Sequence, residues 1–103
     1  MKNTQKKFYV AGRVTGLPRT EVQHDFQRGK MLLFESGCEP VSPLDLVPEN
    51  STPKEAMKIL LPVLSECDGI LMLRGSGMSP GAQLEKQYAE YIGIEVLFED
   101  ELN

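Results

Sequence analysis

Tryptophan is absent from the 103 residues, histidine occurs once (His24), and the two cysteines, Cys38 and Cys67, stand far apart with no C-x-x-C pair. That leaves too few soft donors for a structural zinc site, and no metal or cofactor is expected. Basic residues are also sparse: eleven Lys and Arg against fifteen Asp and Glu give a net charge of −4, and no basic run exceeds Lys6-Lys7. The electrostatic footprint of a nucleic-acid binder is therefore missing. No apolar stretch approaches the ~18 residues that read as a membrane span, and the segment Met1 to Lys7 is polar. A small-molecule partner in the reduced cytoplasm is the expectation, with neither nucleic acid nor membrane as a partner.

What is present fits one domain over residues 1–103. The composition is 41% hydrophobic and 25% charged, ordinary for a soluble globular unit that can bury a core. Lys7 to Ala11 reads as a buried strand ended by Gly12, and residues 12–19 as a loop holding Gly12, Gly16 and Pro18. Val22, Phe26 and Leu33 recur at helical spacing, which predicts a helix over 20–36 with Gly37 as its stop. A brief strand, 38–41, and a loop of about ten residues, 42–51, follow.

Thr52-Pro53-Lys54-Glu55 has the form of a capping box with proline at the first helical position, so a second helix begins there. Pro62 predicts a kink or early stop in it. Gly69 to Leu73 is a continuous apolar run suited to a central parallel strand. After the Gly-rich residues 74–79, Ser79 and Pro80 open a third helix to Ile92, stopped by Gly93. A last strand spans 94–98 and leads into an acidic tail, Glu99-Asp100-Glu101.

The order β-α-β-α-β-α-β specifies an α/β fold: a three-layer Rossmann- or flavodoxin-like parallel sheet of about four strands with helices on both faces. Such sheets bind ligands at the carboxyl ends of their strands, here the loops 12–18 and 74–80.

At 100° per residue the third helix gathers Leu84, Glu85, Tyr88, Ala89 and Ile92 on one face, with Glu85 amid apolar neighbours. A carboxylate there is costly unless paired or served by a cleft. It is either a nucleophile or acid/base group, with Gly81 and Ala82 leaving a ligand room, or a structural carboxylate satisfied by Arg13, Arg74 or loop amides. The Gly75 to Gly81 segment meets a helix N-terminus where an anion would be favoured, or is a turn that needs glycine. Ser79 is an N-cap and a compatible ligand contact. Tyr9 either reaches the cleft with its hydroxyl or satisfies one buried hydrogen bond. His24 reads as a surface residue, and the cysteines as small buried hydrophobes.

Taken together, Tyr9-Val10-Ala11-Gly12-Arg13-Val14-Thr15-Gly16-Leu17-Pro18, Cys67-Asp68 before Ile70 to Leu73, and Ser79-Pro80-Gly81-Ala82-Gln83-Leu84-Glu85 with Ala89 resemble one family. Over about residues 8–98 the chain resembles DUF4406 proteins, a bacterial and phage group within the nucleoside 2-deoxyribosyltransferase-like superfamily. In the better-understood relatives a glutamate attacks C1′ of the sugar, displaces the base and forms a glycosyl ester that water or a second base resolves.

The resemblance implies Glu85 as nucleophile, Tyr9 as the tyrosine orienting it, Ser79 as a 5′-phosphate contact, and Gly12 and Gly16 as the loop that wraps the ligand; Arg13, Gly77 and Gly81, in or beside the two loops at the strand ends, complete the expected substrate-binding set. It implies a nucleoside or nucleotide N-glycosidase or 2-deoxyribosyltransferase working as a homodimer or higher homo-oligomer. Three positions depart from it. The aspartate that relatives carry eight residues before the equivalent of Asp68 is Leu60, a common tryptophan is Ser76, and a basic residue of the monophosphate branch is Thr15. Either a carboxylate such as Glu55 or Glu66 substitutes for the missing one, which nothing in the sequence requires, or the same cleft serves a catalytically inactive protein that binds a nucleotide or an ADP-ribose-like ligand.

Overall fold

Alternation along two central strands sorts the interior into two cores. In the computed structural model, which describes residues 5–102, Phe8 and Val10 of β1 (Lys7–Ala11) and Leu71 of β3 (Gly69–Met72) face one side of the sheet with Leu73. There they pack on Val22, Phe26 and Leu33 of α1 (Arg19–Glu35). Tyr9 and Ala11, with Ile70 and Met72, face the other side and meet Leu60 and Leu64 of α2 (Pro53–Ser65) and Ala82 and Ala89 of α3 (Pro80–Ile92). A strand buried on both faces needs apolar residues at every position, which explains the unbroken run Gly69 to Leu73.

The sheet is all parallel in the order β2-β1-β3-β4, with β2 at Glu39–Val41 and β4 at Glu95–Phe98. Tyr9 pairs with Ile70 and Ala11 with Met72 in the central register. This is the expected α/β arrangement, with three α-helices distributed over both faces. The chain first steps from β1 to β2 on one side and then returns to β3 on the other. The loops after β1 and β3 consequently diverge and leave a crevice between them.

Glycine is required at two points in this frame, one for a close approach and one for a helix end. Gly29 lies buried in the middle of α1, where a Cβ would stand 2.8 Å from Leu73 Cδ2 and 3.0 Å from Val10 Cγ1, so its absence lets the helix approach the sheet. Gly93 closes α3 at φ +83°, in the left-handed region.

Several boundaries differ from the sequence expectation. α1 starts at Arg19 and ends at Glu35, with Gly37 just beyond it at φ +81°. β3 ends at Met72, and β4 begins at Glu95 because the Ile94 amide still donates to Ala89 O at the end of α3. Pro62 does not stop α2, which continues to Ser65. Pro62 and Lys58 both lie on the exposed side, so the carbonyl that loses its helical donor faces water. The expected loop 42–51 contains one 3₁₀ turn at Pro43–Asp45. The third helix buries Ala82, Glu85 and Ala89, whereas Leu84 and Ile92, expected on the same face, are exposed. Cys67 is buried, but Cys38 is only half-buried.

Within the acidic segment Asp100 and Glu101 are exposed, but Glu99 is not. Glu99 is 1% exposed, accepts from Nε and Nη2 of Arg28, and takes the Arg74 backbone N–H at 2.9 Å. Arg28 also reaches Asp25 at 2.9 Å. The Arg28 hydrogen bonds hold the Glu99 carboxyl below its usual range and tie the end of β4 to α1. Residues Met1 to Thr4 of the polar start lie outside the described residues. Among the described residues no helix is long and apolar enough to cross a membrane.

Candidate functional site

The crevice at the carboxyl ends of β1 and β3 opens into a cleft of about 460 Å³. That is within the size range of small-molecule sites. Gly12 to Thr15 form one wall and Met78 to Ala82 the opposite one, while Leu44, Val47, Ala56, Met57 and Leu60 supply an apolar third side. Glu85, one turn into α3, lines it as well.

Local structure explains why Glu85 points there. Ser79 caps α3 by accepting the Ala82 N–H at 3.1 Å, and Pro80 fits the first helical position, so the helix start is fixed beside the cleft. Ala82 and Ala89 then bury against the sheet, and Glu85 between them is carried to the same face. Gly81 keeps the wall low: a Cβ there would sit 3.5 Å from Met57 Cε, across the cleft.

Glu85 is 5% exposed and Tyr9 fully buried, and the Tyr9 hydroxyl donates to Glu85 Oε2 at 2.5 Å. This is the length of a charge-assisted O–H···O⁻ bond. Burial pushes the Glu85 carboxyl up to about 7, and the Tyr9 hydrogen bond acts against that rise. Burial and the adjacent Glu85 push the phenol well above its ordinary value, so Tyr9 remains a donor. The carboxyl thus changes charge near neutrality, where its ionised form can attack as a nucleophile and its two forms can exchange a proton. Neither arginine considered as a structural partner reaches it. Arg13 Nε donates to Thr15 O at 3.2 Å and Arg74 Nε to Asp100 at 2.6 Å, and no described residue forms an ion pair with Glu85.

The structure brings together Glu85, Tyr9, Gly12, Arg13, Ser79 and Gly81. Gly16 is at φ +87° beneath the Arg13 guanidinium, outside the cleft lining. Gly77 lies on a second depression with Arg74, Lys86 and Phe98. Of the carboxylates considered as substitutes at Leu60, Glu55 is committed to the capping box with Thr52, and Glu66 is the C-cap at the opposite end of α2. Neither lines the cleft, whereas Leu60 itself does.

Two cleft residues escaped the sequence reading. Arg19, the first residue of α1, and Glu49, in the connection before α2, both line the opening, with Arg19 Nε 3.9 Å from Glu49 Oε2. Arg19 Nε is the one buried side-chain nitrogen or oxygen without a hydrogen-bond partner among the described residues. The available signal was the length of the 42–51 connection, since loops longer than their neighbours often form site walls. No group of three His, Cys, Asp or Glu side chains suited to a metal converges among the described residues.

Comparison with known proteins agrees with this architecture. The family described as a domain of unknown function, DUF4406, matches residues 6–98. A solved structure of a Clostridium botulinum CMP N-glycosidase superposes with a TM-score of 0.63 at 18% identity, covering 90% of this chain and 70% of that one. A search of curated proteins finds no match.

Proposed function

We propose that this chain, which belongs to the DUF4406 family, is a nucleoside or nucleotide N-glycosidase or 2-deoxyribosyltransferase that uses Glu85 as its nucleophile. The observation carrying this reading is the buried Glu85 carboxyl at the cleft, held by the Tyr9 hydroxyl at 2.5 Å. Ionised Glu85 attacks C1′ of the sugar, the C1′–N bond breaks, and the base leaves with the bonding electron pair and takes up a proton. Water or a second base then displaces the ester. Tyr9 fixes which Glu85 oxygen is bonded and leaves the other free to attack. The short bond also supports the carboxylate when it is released again.

The apolar side formed by Met57 and Leu60 suits the flat face of a base or the carbon edge of a sugar. Arg13 has no acidic partner among the described residues, and Arg19 has an Nε without an acceptor, which supports an anionic substrate such as a nucleoside 5′-monophosphate. The CMP N-glycosidase with the similar fold fits this substrate class. Ser79, whose Oγ already accepts the Ala82 N–H, has its own proton to donate. Assembly as a homodimer or higher homo-oligomer belongs to the same reading. Light scattering at high protein concentration is expected to give at least twice the 11.5 kDa chain mass.

The test is base release by chromatography from the deoxynucleosides, ribonucleosides and their 5′-monophosphates, with and without an acceptor base. Release that disappears in Glu85→Ala is expected, and acceptor dependence separates transfer from hydrolysis. Release at the wild-type rate in that variant overturns the assignment. Leu60 in the cleft wall favours a second reading, an inactive protein that binds a nucleotide or ADP-ribose-like ligand. Calorimetric binding with no turnover of any substrate would establish it.

A further inference from the structure

We infer that Glu49 is the general base that activates water for the second half of the reaction, an inference that rests on the N-glycosidase reading above. The chemistry needs two carboxyl functions: one bonds to C1′ and another takes the proton of the water that cleaves the resulting ester. Leu60 cannot do so. The residues lining the cleft include two carboxylates, Glu85 and Glu49. Other acidic groups nearby are engaged elsewhere: Asp45 pairs with Lys30 at 2.9 Å, and Glu55 caps α2.

Glu49 has the complementary character. Its side chain is 61% exposed, so water reaches it, whereas Glu85 is almost wholly buried. It forms no hydrogen bond with another described residue, and Arg19 Nε, at 3.9 Å, is close enough to position the carboxylate by charge without occupying its oxygens. The cleft lining thus carries one dry carboxylate and one wet one. In the proposed step the water oxygen bonds to C1′ as the C1′–O bond to Glu85 breaks. The electron pair returns to the Glu85 carboxylate, the water proton passes to Glu49, and the sugar leaves with an anomeric hydroxyl.

The experiment follows wild type and Glu49→Gln on whichever substrate of the panel above wild type hydrolyses, by rapid quench, intact-mass analysis and steady-state base release, with sodium azide as an added nucleophile. The expected result for Glu49→Gln is a burst of about one equivalent of base, a sugar adduct on Glu85, and a steady state lowered ~100-fold, the usual scale for a lost general base. Azide needs no deprotonation and restores turnover as the glycosyl azide. A steady state within about threefold of wild type, or a loss with neither burst nor azide rescue, overturns the role of Glu49 while leaving that of Glu85 standing. Absence of turnover by wild type removes both. The position is exposed, so an unchanged melting temperature is expected to accompany the kinetic change.

Discussion

Replacing Tyr9 by phenylalanine removes one oxygen from the molecule and, with it, the hydrogen bond recorded for the buried Glu85 carboxyl. Hydrogen bonds to charged groups contribute about 1.5–3 kcal/mol, and one pKa unit corresponds to about 1.4 kcal/mol, so the loss is worth about one to two units. The bond favours the ionised form, whereas burial favours the neutral one. In Tyr9→Phe burial acts unopposed, and the Glu85 carboxyl should move from about 7 to higher pH. At pH 7 the ionised fraction then falls from about a half to between ~10% and ~1%, a loss of roughly 5- to 50-fold in nucleophile. Carbon-13 NMR of glutamate labelled at the side-chain carboxyl, with Glu85→Gln to assign the resonance, reads this titration without requiring turnover. The acidic limb of any base-release profile should shift in parallel and the rate recover at alkaline pH. A Glu85 midpoint in Tyr9→Phe that is unchanged or lower would refute the reasoning.

Stability should carry the same signature. With a folded value of about 7 against an ordinary value of 4.5, Glu85 binds its proton more tightly in the folded state, so stability falls as pH rises between those values. The loss amounts to about 3 kcal/mol above pH 7, and denaturant titrations of Glu85→Gln should lack it. Glu99 has the opposite sign: its contribution is present above the ordinary carboxyl range and is lost as pH falls through its lowered folded value. Glu99→Gln should lower stability by about 2 kcal/mol at neutral pH by weakening the bonds from Arg28 and Arg74, measured by urea unfolding. Arg19→Gln should weaken calorimetric binding of nucleoside 5′-monophosphates about tenfold or more, the scale of one charged hydrogen bond, and leave nucleosides unaffected. Equal loss for both ligand types would argue against an anion near Arg19.

Periodicity and punctuation made most of the fold legible. The apolar run at Gly69 to Leu73 identified a strand buried on both faces, and the Thr52 capping box and the Ser79-Pro80 start located two helices to the residue. Glu85 was conspicuous because a carboxylate on an apolar helical face is costly, and it is the helix residue that meets Tyr9. What the sequence could not express were contacts between distant segments. Glu99 read only as part of an acidic tail because its partner Arg28 lies 71 positions away and no local pattern links them. Arg19 and Glu49 belong to a helix start and a loop, where no periodicity marks which side chains turn inward. Pro62 was read by its local cost, but the exposed side of α2 lets water satisfy the freed carbonyl. Leu84 shared the apolar arc of α3 but turned out to be exposed, because the narrow stripe of Ala82, Glu85 and Ala89 meets the sheet.

The central claim is that Glu85 bonds covalently to C1′ of a nucleoside or nucleotide sugar. The most direct measurement is acid quench within the first turnover, followed by peptide mapping by mass spectrometry. A mass increase equal to the sugar or sugar phosphate on the peptide carrying Glu85, absent in Glu85→Gln, is the predicted result. Base release through the first turnover with Glu85 unmodified would contradict it.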